Sequence, residues 1–331
     1  MPRVVVIGSV NLDLVTRVPA LPRPGETVLG DGLARLSGGK GGNQAAAAAR
    51  TAPDGVQVAM VACVGDDEAG TLLRRDLADA GVDIAAVGTV PGPSGTALIA
   101  VDPQGENSIV VVPGANAAWP DDALDAVALG SDDVVLLQLE VPFAIVETAV
   151  ARASAAGARV VLNAAPSDPR VAGLLDRVDV LVVNEGEAAA LFDLDRPLDV
   201  ATAARLAVLR RAGQRGREAQ RLVGHQQHAA ARLAADAGLA LVVTLGSRGA
   251  VAASADGSVA EHPALVVEVV DTTGAGDAFV GALAAALAGG AALDDAVRWG
   301  TGAGAFATTA PGARHPGLSR NAVERLLGTG A

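Results

Sequence analysis

Tyrosine is absent from this 331-residue sequence, and phenylalanine and tryptophan number only four and two. That scarcity removes the aromatic platforms on which single-stranded nucleic acids stack. Lysine occurs once, at Lys40, and acidic residues outnumber basic ones 37 to 25, for a formal net charge of -12. A nucleic-acid partner needs the opposite electrostatic footprint. The single cysteine, Cys63, can neither close an internal disulfide nor build a thiolate metal site, which fits a reducing compartment. The opening MPRVVVIGSVNLD does not read as a signal peptide, because Asn11 and Asp13 interrupt a short apolar run. The longest apolar stretch, Ala278 to Leu293, would reach about 24 Å as a helix, short of the roughly 30 Å hydrocarbon core. A soluble, cytoplasmic protein with no membrane and no nucleic-acid partner is expected.

What the sequence does have is apolar content: 50% of residues are hydrophobic and 19% charged. That balance can offset the entropy of ordering, and the length suits one large core, with the whole of 1–331 as a single domain. Short β-branched runs (Val4–Gly8, Val58–Val64, Val134–Leu139, Arg159–Leu162, Val180–Val183, Leu241–Thr244, Leu265–Val270) alternate with stretches of helical length. The latter are Gln44–Arg50, Glu68–Ala80, Ala144–Ala156, Ala201–Arg211 and a helix beginning at Asp277. Strands apolar on both faces, alternating with helices, predict an open, mostly parallel α/β sheet covered on both sides.

The strands end on polar residues: Asn11 and Asp13 after the first, then Glu140, Asn163, Asn184, Thr244 and Asp271. Open α/β sheets bind ligands outside the carboxyl ends of their strands, so these endings predict a polar site along one edge. Two segments break the alternation. Residues 14–37 and 94–113 read as short strands joined by Gly, Pro and Asp turns, with Pro103–Gln104–Gly105 as a hairpin tip, and predict a small β-flap over that edge. Residues 208–230 are polar and arginine-rich and read as a surface insertion. Within it His225 and His228 have i, i+3 spacing but no carboxylate or cysteine partner to complete a metal site.

Three motifs carry chemistry. In Asp271–Thr272–Thr273–Gly274–Ala275–Gly276–Asp277, three successive small residues open a helix, where free N–H groups favour an anion. Asp277 then stands in the first turn, either as an N-cap or as a general base beside the anion cradle; three small residues before it favour the base. In Ser37–Gly38–Gly39–Lys40–Gly41–Gly42–Asn43–Gln44, glycines permit close approach to the backbone while Lys40 and Asn43 supply donors to hydroxyls or phosphate. Asn184 and Glu187 share one face of a first helical turn, an arrangement suited to Mg²⁺ held partly through waters, although acidic first turns are also common because they complement the helix dipole. The loop Thr244–Leu245–Gly246–Ser247–Arg248–Gly249 can donate N–H groups to a nucleotide phosphate. No GxxxxGK[ST] loop occurs, the GxGxxG pattern fails at Phe279, and the protein-kinase motifs are missing.

Taken in order, GSVNLD, GGKGGNQA, QLE, NEGE, TLGSRG and DTTGAGDAF resemble the PfkB family of carbohydrate kinases over the whole chain, and GGKGGNQ resembles its ribose-phosphorylating branch. The resemblance implies a ribokinase-like three-layer α/β/α sandwich with a small β-sheet lid, and ATP-dependent phosphorylation of D-ribose at O5, with Mg²⁺ and activation by K⁺. A homodimer through the β-lids is also implied. Asn11, Asp13, Gly39, Lys40, Gly41, Asn43 and Glu140 would then hold the sugar. Asp277 would be the base, and the amides of Gly274, Ala275 and Gly276 the anion hole. Asn184, the loop Thr244–Gly249, Gly276 and Thr301 would meet ATP, and Asn184 with Glu187 would organise Mg²⁺. Asp271, Thr273, Ala307, Ala310 and Gly312 would form the K⁺ site. The chain departs from the family pattern in residues 210–230, at Thr301 (often histidine) and in the loop ATTAPGARHPGLS after residue 306. A kinase for another sugar or a nucleoside, and a sugar binder without catalysis, are the competing readings.

Overall fold

A computed structural model describes residues 1–191, 239–254 and 258–328. Along the chain run β1 (Arg3–Ile7), β2 (Asn11–Arg17), β3 (Asp31–Gly38), α1 (Lys40–Thr51), β4 (Gln57–Gly65), α2 (Glu68–Asp79) and β5 (Val87–Val90). Then come β6 (Gly95–Val101), β7 (Asn107–Val112), β8 (Asp133–Leu137), α3 (Phe143–Ala156), β9 (Arg159–Asn163), β10 (Val180–Asn184) and α4 (Glu185–Leu191). Beyond them are β11 (Ala240–Thr244), β12 (Ala250–Ala253), β13 (Val259–His262), α5 (Ala275–Ala288), α6 (Leu293–Ala307) and α7 (Arg320–Leu326).

Nine strands form one sheet in the order β13-β12-β11-β10-β9-β8-β1-β4-β5, parallel except where β12 and β13 turn back at one edge. The apolar runs form strands here because both faces are covered. Val4 and Val6 of β1 pack with Ala45 and Ala48 of α1 and Leu283 of α5, while Val5 and Ile7 pack with Val146 and Val150 of α3. This is the period-two alternation of a strand with two dry sides. α5 is buried at every position from Ala278 to Ala288, as an all-apolar helix must be, and packs between α1 and α6. The strand order reverses between β8 and β1, which is the switch point where such sheets open a ligand crevice.

The expected three-layer, mostly parallel architecture is therefore present, and so is a separate small sheet of order β3-β2-β6-β7. Pro103–Gln104–Gly105 lies in the turn joining β6 to β7. One expected strand is corrected: Leu265–Val270 joins no ladder. The antiparallel edge ends at His262, Pro263 lacks an N–H to extend it, and Val266, Val269 and Val270 lie exposed on the surface. The segment is instead docked by its far end, where the amides of Val270 and Asp271 both donate to the Thr308 carbonyl (2.8 and 3.1 Å). The expected helix at Ala201–Arg211, the insertion at 208–230 and the pair His225 and His228 lie outside the described residues. Among the described residues no helix is long and apolar enough to cross a membrane.

Candidate active site

At the switch point, Ser9 follows β1 and Glu140 follows β8, and they meet: Ser9 Oγ donates to Glu140 Oε2 at 2.6 Å. The same carboxylate oxygen accepts from the amide of Lys40 (3.0 Å), so it closes the N-terminus of α1, whose cap residue Gly39 has no side chain to do so. Gly39 has φ +79°, and a Cβ there would lie 2.8 Å from the Asn11 nitrogen, so only glycine lets the motif pass this close to β2. Asn11 is buried and its Oδ1 accepts from Asn116 Nδ2 (2.6 Å). Asn116 in turn clamps both backbone groups of Val10 (2.9 and 3.1 Å).

Asp277 occupies the first turn of α5 but does not cap it. The cap is Gly274, left-handed at φ 74°, with no side-chain hydrogen bond. The carboxylate instead accepts from Asn43 Nδ2 on Oδ2 and from Gln44 Nε2 on Oδ1, both at 3.0 Å. DTTGAGD and GGKGGNQ, 230 residues apart in sequence, are thus joined through this one side chain. The amide of Ala275 donates to Thr272 (3.2 Å) and that of Ala278 to Gly274 (2.8 Å), while the amides of Gly274, Gly276 and Asp277 have no partner among the described residues. The helix therefore presents unpartnered donors beside a fixed carboxylate. The cradle differs from expectation at Ala275, whose amide is already engaged.

Charge is concentrated here. Burial pushes the Asp13 carboxyl up to about 6, with Arg314 opposing and Glu140 and Asp277 reinforcing the shift. Burial also works against the charge on Lys40, but Asp277, Glu140 and Glu187 outweigh it and hold the ammonium above its ordinary range. Arg314 is pulled down to about 10 by burial, against the attraction of Asp76, Asp13 and Asp277. An ammonium among three carboxylates beside unpartnered amides brings together groups able to bind hydroxyls and groups able to bind an anion.

Comparison with known proteins places the chain in a family. The pfkB family carbohydrate kinase model matches residues 1–216 and 216–320. This chain belongs to the PfkB family. Its relatives include the ribokinase of Bacillus subtilis, 36% identical over 99% of this chain and 100% of the relative, and that of Haemophilus influenzae, 34% identical over 93% of each. A solved ribokinase of Arabidopsis thaliana, complexed with ribose and ATP, superposes with a TM-score of 0.81 at 30% identity over 98% of each chain.

The remaining predicted positions of this PfkB chain divide by what their side chains do. Asn184 and Glu187 make a reciprocal capping box on α4: Asn184 Oδ1 accepts from the Glu187 amide (2.8 Å) and Glu187 Oε2 from the Asn184 amide (2.9 Å). No group of three His, Cys, Asp or Glu side chains able to hold a metal occurs among the described residues. One carboxylate and one amide suit Mg²⁺, which keeps waters and phosphate oxygens in its shell. Asp271 joins the two segments expected around K⁺, accepting from the amides of Thr273 (2.9 Å) and Gly312 (2.8 Å). Burial opposes its charge, but those two donors hold the carboxyl below its ordinary range. Ala307, Ala310 and Gly312 all lie in or beside the chain reversal that follows α6.

In the loop after β11, Gly246, Ser247 and Arg248 are exposed and Gly249 and Thr244 half-buried, whereas Leu245 points into the core and offers only backbone. Arg248 reaches back to pair with Glu185. Thr301 is buried within α6, and its hydroxyl donates its proton to the Val297 carbonyl (2.9 Å), so it has no donor left for a nucleotide. Sequence reasoning missed Asn116, Asn163 and Arg314. Arg314 carries no local signal, being one of 24 arginines (25 Lys and Arg less one Lys) in an irregular loop. Its Nε nevertheless donates to Asn43 Oδ1 (2.9 Å).

Proposed function

We propose that this carbohydrate kinase transfers the γ-phosphoryl group of ATP to O5 of D-ribose, giving ribose 5-phosphate and ADP. The observation that carries this reading is Asp277: a carboxylate one turn into α5 that caps nothing, is gripped by the two amides of the GGKGGNQ helix, and stands beside unpartnered N–H groups. Asp277 takes the proton from O5 as that oxygen attacks the γ-phosphorus and the bond to the β-phosphate oxygen breaks. The amides of Gly274 and Gly276 stabilise charge that develops on the transferring group. Asn11, Asp13, Gly39, Gly41, Asn43 and Glu140 bind sugar hydroxyls, and Lys40 supplies positive charge between sugar and phosphate.

Asn184 and Glu187 would hold Mg²⁺, which would offset phosphate charge. Asp271, Thr273 and the carbonyls of Ala307, Ala310 and Gly312 would hold a monovalent cation, K⁺, which would add positive charge near the anion cradle. The turn Gly246–Arg248 contacts the nucleotide. Strands β2, β3, β6 and β7 form a lid, and the enzyme is a cytoplasmic homodimer through that lid. Support for the dimer comes from β7, exposed along its whole length, from the uncovered Leu98 on the neighbouring β6, and from Leu33 and Leu36 on β3 at the other edge of the small sheet.

The test is ADP release coupled to ribose, 2-deoxyribose, fructose and nucleosides, with and without K⁺. Turnover greatest with ribose and stimulated by K⁺ is expected. Turnover confined to another acceptor overturns the substrate, and ribose binding without ATP turnover overturns the activity.

A further inference from the structure

The two amides that grip Asp277 are ambivalent groups, since either can present its oxygen or its nitrogen to a neighbour. An oxygen turned toward a carboxylate would repel it. Something must therefore decide which way each amide faces, and the contacts trace that decision to two unambiguous groups.

On one side the fixed point is the Val182 carbonyl of β10, which can only accept. Asn163, at the end of β9, donates Nδ2 to it (3.1 Å), which turns Asn163 Oδ1 toward Gln44. Gln44 must then offer Nε2, and that nitrogen donates to Asn163 Oδ1 and Asp277 Oδ1, both at 3.0 Å. Its Oε1 is left facing Gln138, whose Nε2 donates to it at 2.6 Å. Gln44 and Gln138 are fully buried and Asn163 nearly so, so no water competes for these bonds. Among the described residues the far oxygen of Gln138 finds no partner, and it rests against Gly8, where an added Cβ would strike it.

On the other side the fixed point is a guanidinium, which can only donate. Arg314 gives Nε to Asn43 Oδ1 (2.9 Å) and Nη2 to the Gly38 carbonyl (3.1 Å). With its oxygen so taken, Asn43 has only Nδ2 for Asp277 Oδ2. Among the described residues Arg314 forms no ion pair, and Nη1 is buried without a partner, so its polar contacts are the ones that set this amide and anchor the glycine loop.

We propose that Arg314 and Asn163 are positioning residues for phosphoryl transfer: each fixes the polarity of one amide, so that both oxygens of Asp277 meet N–H donors and the carboxylate is held at one angle for the sugar hydroxyl. This rests on Asp277 being the base. Neither residue needs to touch sugar or nucleotide, and the loss of either falls on kcat.

The experiment compares Arg314→Met, Arg314→Lys, Asn163→Leu and the near-isosteric Gln44→Glu, each alone and with Asp277→Asn, in steady-state kinetics with ribose and MgATP. Thermal unfolding serves as the folding control. Arg314→Met is expected to lower kcat by about ten- to a hundredfold, the range for a lost bond to a charged network. It is expected to raise ribose KM as well, because Arg314 also sets Asn43 and opposes protonation of Asp13. Asn163→Leu, which touches neither, leaves ribose KM within about threefold. Arg314→Lys restores most of that loss. Gln44→Glu, which turns a carboxylate oxygen to Asp277, loses at least as much. In the Asp277→Asn background the same changes cost little more, because the group they position is gone. If Asn163→Leu fails to fold, the Arg314 and Gln44 variants decide alone.

Wild-type kcat in both Arg314→Met and Gln44→Glu overturns the inference, as does an effect confined to KM, or full additivity with Asp277→Asn. Near-full activity of Asp277→Asn alone overturns instead the assignment of the base.

Discussion

Valine, isoleucine and leucine build both sheets, yet β1 is covered on both faces while β7 is bare on both. The difference lies in what the flanking sequence supplies. Each parallel strand of the large sheet is followed by or packed under helices, so its polar endings sit on a rigid rim. In the small sheet β2 and β3, and β6 and β7, are joined by hairpin connections, and among the described residues no helix stands on β7. A four-stranded sheet with so little cover has low stability in isolation. The two halves of the site inherit this contrast. Asp277, Gln44 and Asn163 are tied into the large core by buried hydrogen bonds, whereas Asn11 and Asp13 project from β2 of the small sheet. On the roles proposed above, the chemical step would belong to the fixed half, while sugar capture would draw on both halves and so depend in part on the small sheet.

Asp277→Asn breaks the fixed half and gives the largest effect. It keeps the shape and should keep the fold, but kcat falls by about 10²–10⁴, the usual worth of a general base. Single-turnover kinetics with ribose and ATP measures the loss, and a variant retaining most of kcat would erase the distinction between the halves.

Asp13→Asn probes the other half, with sugar KM raised about tenfold and a smaller change in kcat. This variant has a signature in stability as well. Burial lifts the Asp13 carboxyl to about 6, so the folded chain holds that proton more tightly than the unfolded chain does. The stability this group contributes is present below the ordinary carboxyl range near 3.9 and is lost as pH rises through about 6. Asp13→Asn should therefore raise Tm by a few degrees at pH 8 and by less at pH 4. In the parent enzyme ribose KM should climb as pH falls below about 6. Equal Tm gains at both pH values would refute this account.

The smallest effect on turnover is expected from charge on β7. Ile109 and Val110 point to opposite faces, so Ile109→Asp and Val110→Asp sample the two sides separately. One is expected to convert dimer to monomer by light scattering with kcat changed less than about threefold, the other to raise ribose KM with the dimer intact. If both variants dimerise normally, the bare strand is not the contact.

Much of this organisation was legible in the residues. Runs such as VVVI and VVLL could only be strands with two dry faces, and their polar endings marked out one edge of the sheet. GGKGGNQ and DTTGAGD were recognisable because each packs several backbone requirements into a few residues. What escaped was relational. Asn163 looked like an ordinary strand ending, and its partner is a carbonyl on the next strand. Arg314 matters through the amide it meets 271 residues away in sequence. The apolar run Leu265–Val270 misled for the opposite reason: composition cannot say whether a neighbouring strand is free to pair, and here Pro263 follows the last ladder position.

The capping box on α4 has a price attached. Asn184 and Glu187 each close the other's backbone amide, so any ion that draws on either side chain competes with the start of that helix. Slow deuterium uptake at the amides of Asn184 and Glu187 in the free enzyme should become fast when nucleotide and magnesium arrive, and the opening turn of α4 would then act as a built-in reporter of loading.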